Sequence, residues 1–410
     1  MKIFYGWKIV GAAAGIQLLI GGLLLQAFGA YVAVLSEEKG WSKTALSGGA
    51  ALQSIEGALL GPALGWMIDR FGSRAIIQAG VLLLGLGFMA LSQIDTIGGF
   101  YAAILLIAVG ASLGGYFPLT VVVVHWFHRK RARALSTMSL GLALGGIVVP
   151  LVGWVMQTYG WRITAFGSGV LIILAGLPLA RVVRRTPAEM GETVDGLPPP
   201  PPSADTDAAE DEPLQREFSA REALRTRAFW LLASAHGLAL LVVTAVNVHA
   251  ISHLKEGLGY SVAQASIVIT LMTAAQGAGM LMGAAIGDRW DKRYVAAACM
   301  LGHMAGLLLL TYGSHPLLVG GFALLHGVAW GLRGPFMQAM RADYFGLQAI
   351  GMIMGLSAFI TAMGQVAGPM VAGIFADATG NYRMGFTVLA LVAGSGSVLF
   401  LLARKPTQRR

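Results

Sequence analysis

Apolar runs of 18 residues or more recur along this 410-residue chain, and no other feature restricts its folding so strongly. Each is long enough to cross a hydrocarbon core of about 30 Å at about 1.5 Å per residue. Twelve can be counted, with approximate limits 8–35, 44–68, 75–93, 98–126, 133–157, 162–183, 228–254, 261–287, 294–313, 317–341, 349–377 and 382–403. Composition agrees: 56% of the residues are hydrophobic and 12% charged, against about 25% charged in an ordinary soluble domain. The 56 glycines suit membrane helices, where small residues let backbones approach closely.

A net charge of +9 would suit nucleic acid, but the placement of the charges speaks for a membrane instead. If the N-terminus is cytoplasmic, segments on that side hold 23 of the 29 Lys and Arg, while the opposite side holds only Lys39, Lys43, Arg162, Lys255 and Arg383. This positive-inside asymmetry puts both termini in the cytoplasm. The first span is too long for the core of a cleavable signal peptide. The single Cys299 excludes an internal disulfide and reads as a small buried hydrophobe.

The largest polar interruption, 186–227, contains five consecutive prolines, Pro198 to Pro202, and then the acidic stretch ADTDAAEDE. Such a composition favours an extended, solvated tether, with a short amphipathic piece expected at SAREALRTRAF. It divides the chain into 1–185 and 228–410, with six spans each. The halves repeat at a nearly constant offset of 219: Trp41 matches Tyr260, Asp69 matches Asp288, Arg70 matches Arg289, and Pro150 matches Pro369. Two copies of one six-helix unit point to a substrate site at their interface near the bilayer midplane.

GWMIDRFGSR, residues 65–74, resembles the G-x-x-x-D-R-x-G-x-R loop between the second and third helices of the major facilitator superfamily. Gly65, Asp69, Arg70, Gly72 and Arg74 fall in place, and the second copy keeps Asp288, Arg289 and Arg293. The resemblance implies an all-α membrane protein of twelve transmembrane helices in two pseudo-symmetric six-helix bundles that rock about a central cavity, with Asp69 as a latch between bundles. FYGWKIV, residues 4–10, resembles the start of bacterial relatives of monocarboxylate transporters and oxalate:formate antiporters, which implies a small organic anion as substrate. Those carriers use an arginine in the eighth helix. Here LMTAAQGAGMLMGAA offers only Thr273 and Gln276, and the eleventh span has Ser357, Thr361 and Gln365 but no lysine. Pro150 and Pro369 resemble the fifth-helix glycine-proline motif of antiporters, although Val149 stands where glycine is expected. A kinked packing seam explains them as well.

Buried polar residues remain to be explained. Arg333 is the one basic side chain read as lying well inside a span, about 12 Å short of Arg341. An arginine at a bilayer centre costs at least about 2.5 kcal/mol, so it usually faces a cavity or a partner. Its fork matches a carboxylate bidentately; a permanent pair with a buried acid, or snorkelling to the interface, stays open. Trp330 lies one turn away. Glu56 is the acidic counterpart, able to carry a proton, to bond a hydroxyl, or to pair with Arg333. His249 is a second candidate proton carrier and, with Asn247, a candidate ligand, although their spacing keeps both from pointing into one cavity. His253 is expected to be exposed and His236 to matter less. Tyr116 stands opposite Arg333 when GGYFP is set against GLRGP. Gln26 and Gln276 can bind substrate oxygens or a neighbouring helix.

These features describe a monomeric, proton-coupled carrier of a monocarboxylate or aromatic carboxylate in a bacterial inner membrane, with lipid as its surroundings and no cofactor or metal. The alternatives are a proton-driven efflux carrier for lipophilic or cationic compounds, with Glu56 as counter-charge and an adaptable Met-rich pocket, and a non-transporting sensor that uses the 186–227 segment. No metal spacing, nucleophile elbow or phosphate loop suggests an enzyme.

Overall fold

The computed structural model describes residues 4–41, 43–197, 217–260 and 262–406. The proline run Pro198 to Pro202 and the acidic stretch after it lie outside the described residues. Among the described residues the regular elements are helical. Twelve are long: α1 (Tyr5–Lys39), α2 (Lys43–Phe71), α3 (Ser73–Leu91), α4 (Ile97–Trp126), α5 (Arg131–Tyr159), α6 (Trp161–Val182), α7 (Arg227–Gly257), α8 (Val262–Ile286), α9 (Lys292–Tyr312), α10 (Pro316–Phe345), α11 (Ile350–Thr379) and α12 (Arg383–Leu402). Eleven are long and apolar enough to cross a membrane. The twelfth apolar run expected from the sequence, at 44–68, corresponds to α2, which is not among them. Its middle carries the polar Gln53, Ser54 and Glu56, all of which line a cavity.

Two helices are interrupted partway along their length, while α7 ends in a π-helical turn, His253–Gly257. In α1 a π-helical turn, Gly21–Leu25, packs against α5 so closely that a Cβ on Gly145 would stand 2.5 Å from the amide nitrogen of Gly22. In α4 the extended backbone of Gly115 interrupts the helix, and the chain restarts at Tyr116. Buried apolar side chains form two clusters. One runs from Ile9 to Val183 and takes in Leu332, Phe336 and Met354 of the second half. The other runs from Phe218 to Ala403.

The start of α1, where Tyr5 bonds Glu192 and Val182, and the end of α12, where Ala403 bonds Tyr344, lie on one face, here the terminal face, and the halves are bolted together there. The Asp69 carboxylate accepts from the amides of Gly351 (3.1 Å) and Met352 (2.9 Å) at the start of α11. Asp288, in the turn after α8, accepts from Ala132 (2.8 Å) and Arg133 (3.1 Å) at the start of α5. Burial pushes the Asp288 carboxyl above its usual range, and the two amides pull it back. Each carboxylate thus satisfies orphan N–H groups of a helix in the other half and meets the positive end of its dipole. Asp343 of α10 bonds the buried Arg131 of α5 and also Lys292 at 3.0 Å. A Cβ on Gly65 would lie 2.3 Å from the Gly351 carbonyl oxygen, so only glycine fits this crossing of α2 and α11.

The described ends of the 186–227 segment pack on the same face. Asp195, only 6% exposed, accepts from the amides of His128, Arg129 and Lys130 at 2.7 to 3.2 Å. Glu217 accepts from Leu347 and Gln348, both at 2.6 Å. The expected amphipathic piece forms a short helix, Ala220–Leu224, opened by a Ser219–Glu222 capping box. These ends are therefore docked rather than wholly solvated.

Candidate functional site

Two adjoining cavities lie between the halves, of about 550 Å³ and 380 Å³. They share Tyr116, Phe117, Leu142, Ala358, Thr361 and Gln365 as walls. The larger touches the first half and contains Gln17, Glu56 and Ser112; Glu56 is the one carboxylate in its lining. The smaller is built on α10 and contains Gln276, Trp330, Arg333, Gln338 and Arg341, with His236 from α7 and no carboxylate in its lining.

Arg333 is 1% exposed, and its Nε and Nη1 have no hydrogen-bond partner among the described residues. It sits two residues before Pro335, which lies inside the helix and has no N–H to give to the carbonyl of Gly331. Glu56 is not its partner: Glu56 Oε2 accepts from Ser112 Oγ at 2.9 Å, and Oε1 is unsatisfied. A buried charge without a counter-charge costs several kcal/mol, and buried polar atoms are normally bonded. Arg333 and Glu56 thus each keep unused hydrogen-bonding capacity toward the cavities they line.

Arg341 corrects the reading of Arg333 as the only basic side chain inside a span. It is 3% exposed and donates to Gln338 Oε1 (3.0 Å) and Ser357 Oγ (2.7 Å), with His236 Nδ1 at 2.9 Å. The reason is helix length: α10 continues to Phe345 and ends only at Gly346, whose φ is +76°. Arg341 is therefore held a turn inside the helix. His236, ranked low from sequence, orients it. Gln17 was also missed; it is 1% exposed, with Nε2 unpartnered.

Of the residues singled out in sequence, Arg333, Tyr116, Gln276 and Trp330 meet in the smaller cavity and Glu56 lies in the larger. Tyr116 Oη accepts from Ser139 Oγ at 3.5 Å. Three others line neither cavity. Gln26 is exposed and donates to the Leu142 carbonyl at 3.2 Å. Asn247 is exposed. His249 lies 3.0 Å from the Pro369 carbonyl oxygen, its ring 5.1 Å from that of Tyr382. His253, expected at the surface, is 2% exposed and bonds the Leu310 carbonyl at 2.9 Å. Pro150 and Pro369 sit inside the continuous helices α5 and α11. Arg70 lies over the rings of Trp66 and Phe71, while Gly72 supplies the positive φ of +81° at the turn into α3. Arg74 and Arg289 are exposed on the terminal face.

The sequence profile described as Major Facilitator Superfamily matches residues 14–249 and 232–410. The chain is similar to monocarboxylate transporter 13 of Bos taurus, 24% identical over 97% of this chain and 89% of the relative. It is also similar to a probable hexose phosphate transport protein of Chlamydia pneumoniae, 26% identical over 84% and 79%. Among solved structures, the human organic anion transporter MFSD10 (TETRAN) superposes with a TM-score of 0.69 at 16% identity, covering 98% of this chain and 100% of that one. The fucose:proton symporter FucP of E. coli gives 0.66 at 16% identity, over 98% and 97%.

Proposed function

The chain belongs to the Major Facilitator Superfamily, and from that premise we propose that it is a secondary active transporter of a small organic anion, a monocarboxylate or aromatic carboxylate, coupled to protons. The observation that carries this reading is the buried Arg333, with two unpartnered nitrogens in a cavity whose lining holds no carboxylate. A carboxylate would accept from that fork bidentately. Tyr116 and Gln276 would orient the anion, and Trp330 and Phe117 would pack on its apolar body. Relatives named as monocarboxylate transporters along almost the whole chain support an anionic cargo.

Glu56 is the proton carrier in this proposal. It is buried, half-bonded and one shared wall away from Arg333. A carboxylate entering beside two arginines, and a proton entering on Glu56, leave fewer uncompensated charges in the dry interior than either alone. The halves 1–185 and 228–410, joined by 186–227, would rock about these cavities, with Gly65, Asp69, Arg70, Gly72, Arg74, Asp288, Arg289, Pro150 and Pro369 serving the motion. The protein would work as a monomer in a bacterial inner membrane with both termini cytoplasmic. Two arginines against one carboxylate disfavour the export of cationic compounds.

The test is uptake of radiolabelled lactate and benzoate into proteoliposomes with an imposed pH gradient. Accumulation that follows the gradient supports the proposal. Uptake no faster than into empty liposomes contradicts it.

A further inference from the structure

A third cavity lies away from the transport route. On the outer surface of the second half, α8, α9 and α10 enclose a groove of about 940 Å³. Its walls include Ala298, Cys299, Gly302, Leu325, Val328 and Ala329, all apolar or small. At its terminal-face end stand Arg289, Trp290, Asp291 and Tyr294, the two aromatic side chains 63% and 61% exposed and the Asp291 carboxylate paired with Arg293 at 3.3 Å. Tryptophan and tyrosine collect at the height of lipid headgroups because their rings are amphipathic.

The cation at this mouth is unpaired. Both acids next to it in sequence are committed elsewhere: Asp288 to the amides of Ala132 and Arg133, and Asp291 to the amide and guanidinium of Arg293 at 2.9 and 3.3 Å. Arg289 itself is exposed and has no side-chain partner among the described residues. Its counterpart in the first half, Arg70, lies over the rings of Trp66 and Phe71, 5.4 and 5.7 Å from their centroids. The two halves thus carry the same arginine, covered by the chain's own rings in one and free at the end of an apolar slot in the other.

We propose that this groove is a binding site for an anionic phospholipid, with the phosphodiester on the Arg289 guanidinium and one acyl chain in the slot between α9 and α10. A guanidinium fork matches phosphate oxygens in geometry and charge, and basic pockets between spanning helices on a membrane surface hold lipid headgroups. Trp290 Nε1 and Tyr294 Oη stand where the polar end of the lipid would lie. Because Arg293 already neutralises Asp291, Arg289 is the uncompensated charge at this mouth, and the site is expected to favour lipids of net negative charge. The inner wall of the slot includes Cys299 and Leu332, the layer directly behind Arg333. The bound chain would therefore brace the helix that carries the proposed anion anchor.

The full-length protein in phosphatidylcholine nanodiscs, with a rising fraction of phosphatidylglycerol bearing brominated chains, tests this without any transported substrate. Quenching of Trp290 is read as the difference between wild type and Trp290→Phe. We expect half-quenching at a several-fold lower mole fraction of brominated phosphatidylglycerol than of brominated phosphatidylcholine, and loss of that preference in Arg289→Gln. Equal quenching by the two lipids in the wild type, a comparison that needs no Arg289 variant, overturns the proposal. So does a preference that survives Arg289→Gln. The result is independent of whether any carboxylate is carried.

Discussion

Asp69 and Asp288 make the same bond from opposite halves of the molecule: Asp69 holds the first turn of α11 and Asp288 the first turn of α5. They stand 219 residues apart, the offset of the internal repeat. The two sets of bonds join the halves at the terminal face in the conformation described, and in the proposed transport cycle both would break as that face opens.

Removing either charge should release the face. Asp69→Asn or Asp288→Asn weakens charge-assisted bonds worth about 1.5–3 kcal/mol, so the ratio of closed to open molecules should fall roughly tenfold or more. Spin labels at Arg129 and Gln348, one on each half, should report a longer distance in either variant, and longer still in the double variant. Unchanged distances would show that the carboxylates do not set the equilibrium.

Gly65 should act in the same direction by a different cause. The atom that a new Cβ meets is the Gly351 carbonyl oxygen, part of a helix backbone with little freedom to give way. Gly65→Ala is expected to lengthen the same label distance even with Asp69 intact. A closed terminal face in this variant would contradict the crossing described for α2 and α11.

Asp343 neutralises Arg131, which is 1% exposed. Asp343→Asn leaves that guanidinium without a counter-charge, which should cost about 3 kcal/mol, read as a several-degree fall in melting temperature. Arg131→Met together with Asp343→Leu should recover much of the loss, because a buried pair is itself expensive.

Glu56→Gln keeps the bond from Ser112 but cannot take up a proton. Carboxylate uptake by this variant should no longer rise as the external pH is lowered. A wild-type pH profile in Glu56→Gln would remove Glu56 from the coupling.

Much of this was legible in the sequence because it depends on periodicity and on chemistry that lipid makes costly. The long helices, the repeat, the Asp69 and Asp288 loops and the burial of Arg333 belong here. The remainder depended on where helices end and how they are phased. Arg341 reads as an interfacial charge until α10 is seen to run on to Gly346. The π turn at Gly21–Leu25 changes the phase of α1, because a wider turn rotates every later residue. A count at constant pitch already sets Gln17 and Gln26, nine residues apart, on opposite sides of the helix, but it does not say which of the two faces the larger cavity, and that is Gln17. His249 is a typical ring near a membrane surface, and only the neighbouring Pro369 carbonyl tells it from a ligand.

The most direct measurement is the affinity of purified protein for lactate and benzoate, followed by Trp330 fluorescence, in wild type and in Arg333→Gln. A bidentate charged contact worth about 1.5–3 kcal/mol predicts affinity weaker by roughly ten- to a hundredfold in the variant, with the melting temperature held or raised, since an uncompensated buried charge has been removed. Carboxylate binding at wild-type affinity in Arg333→Gln would contradict the assignment of Arg333 as the anchor.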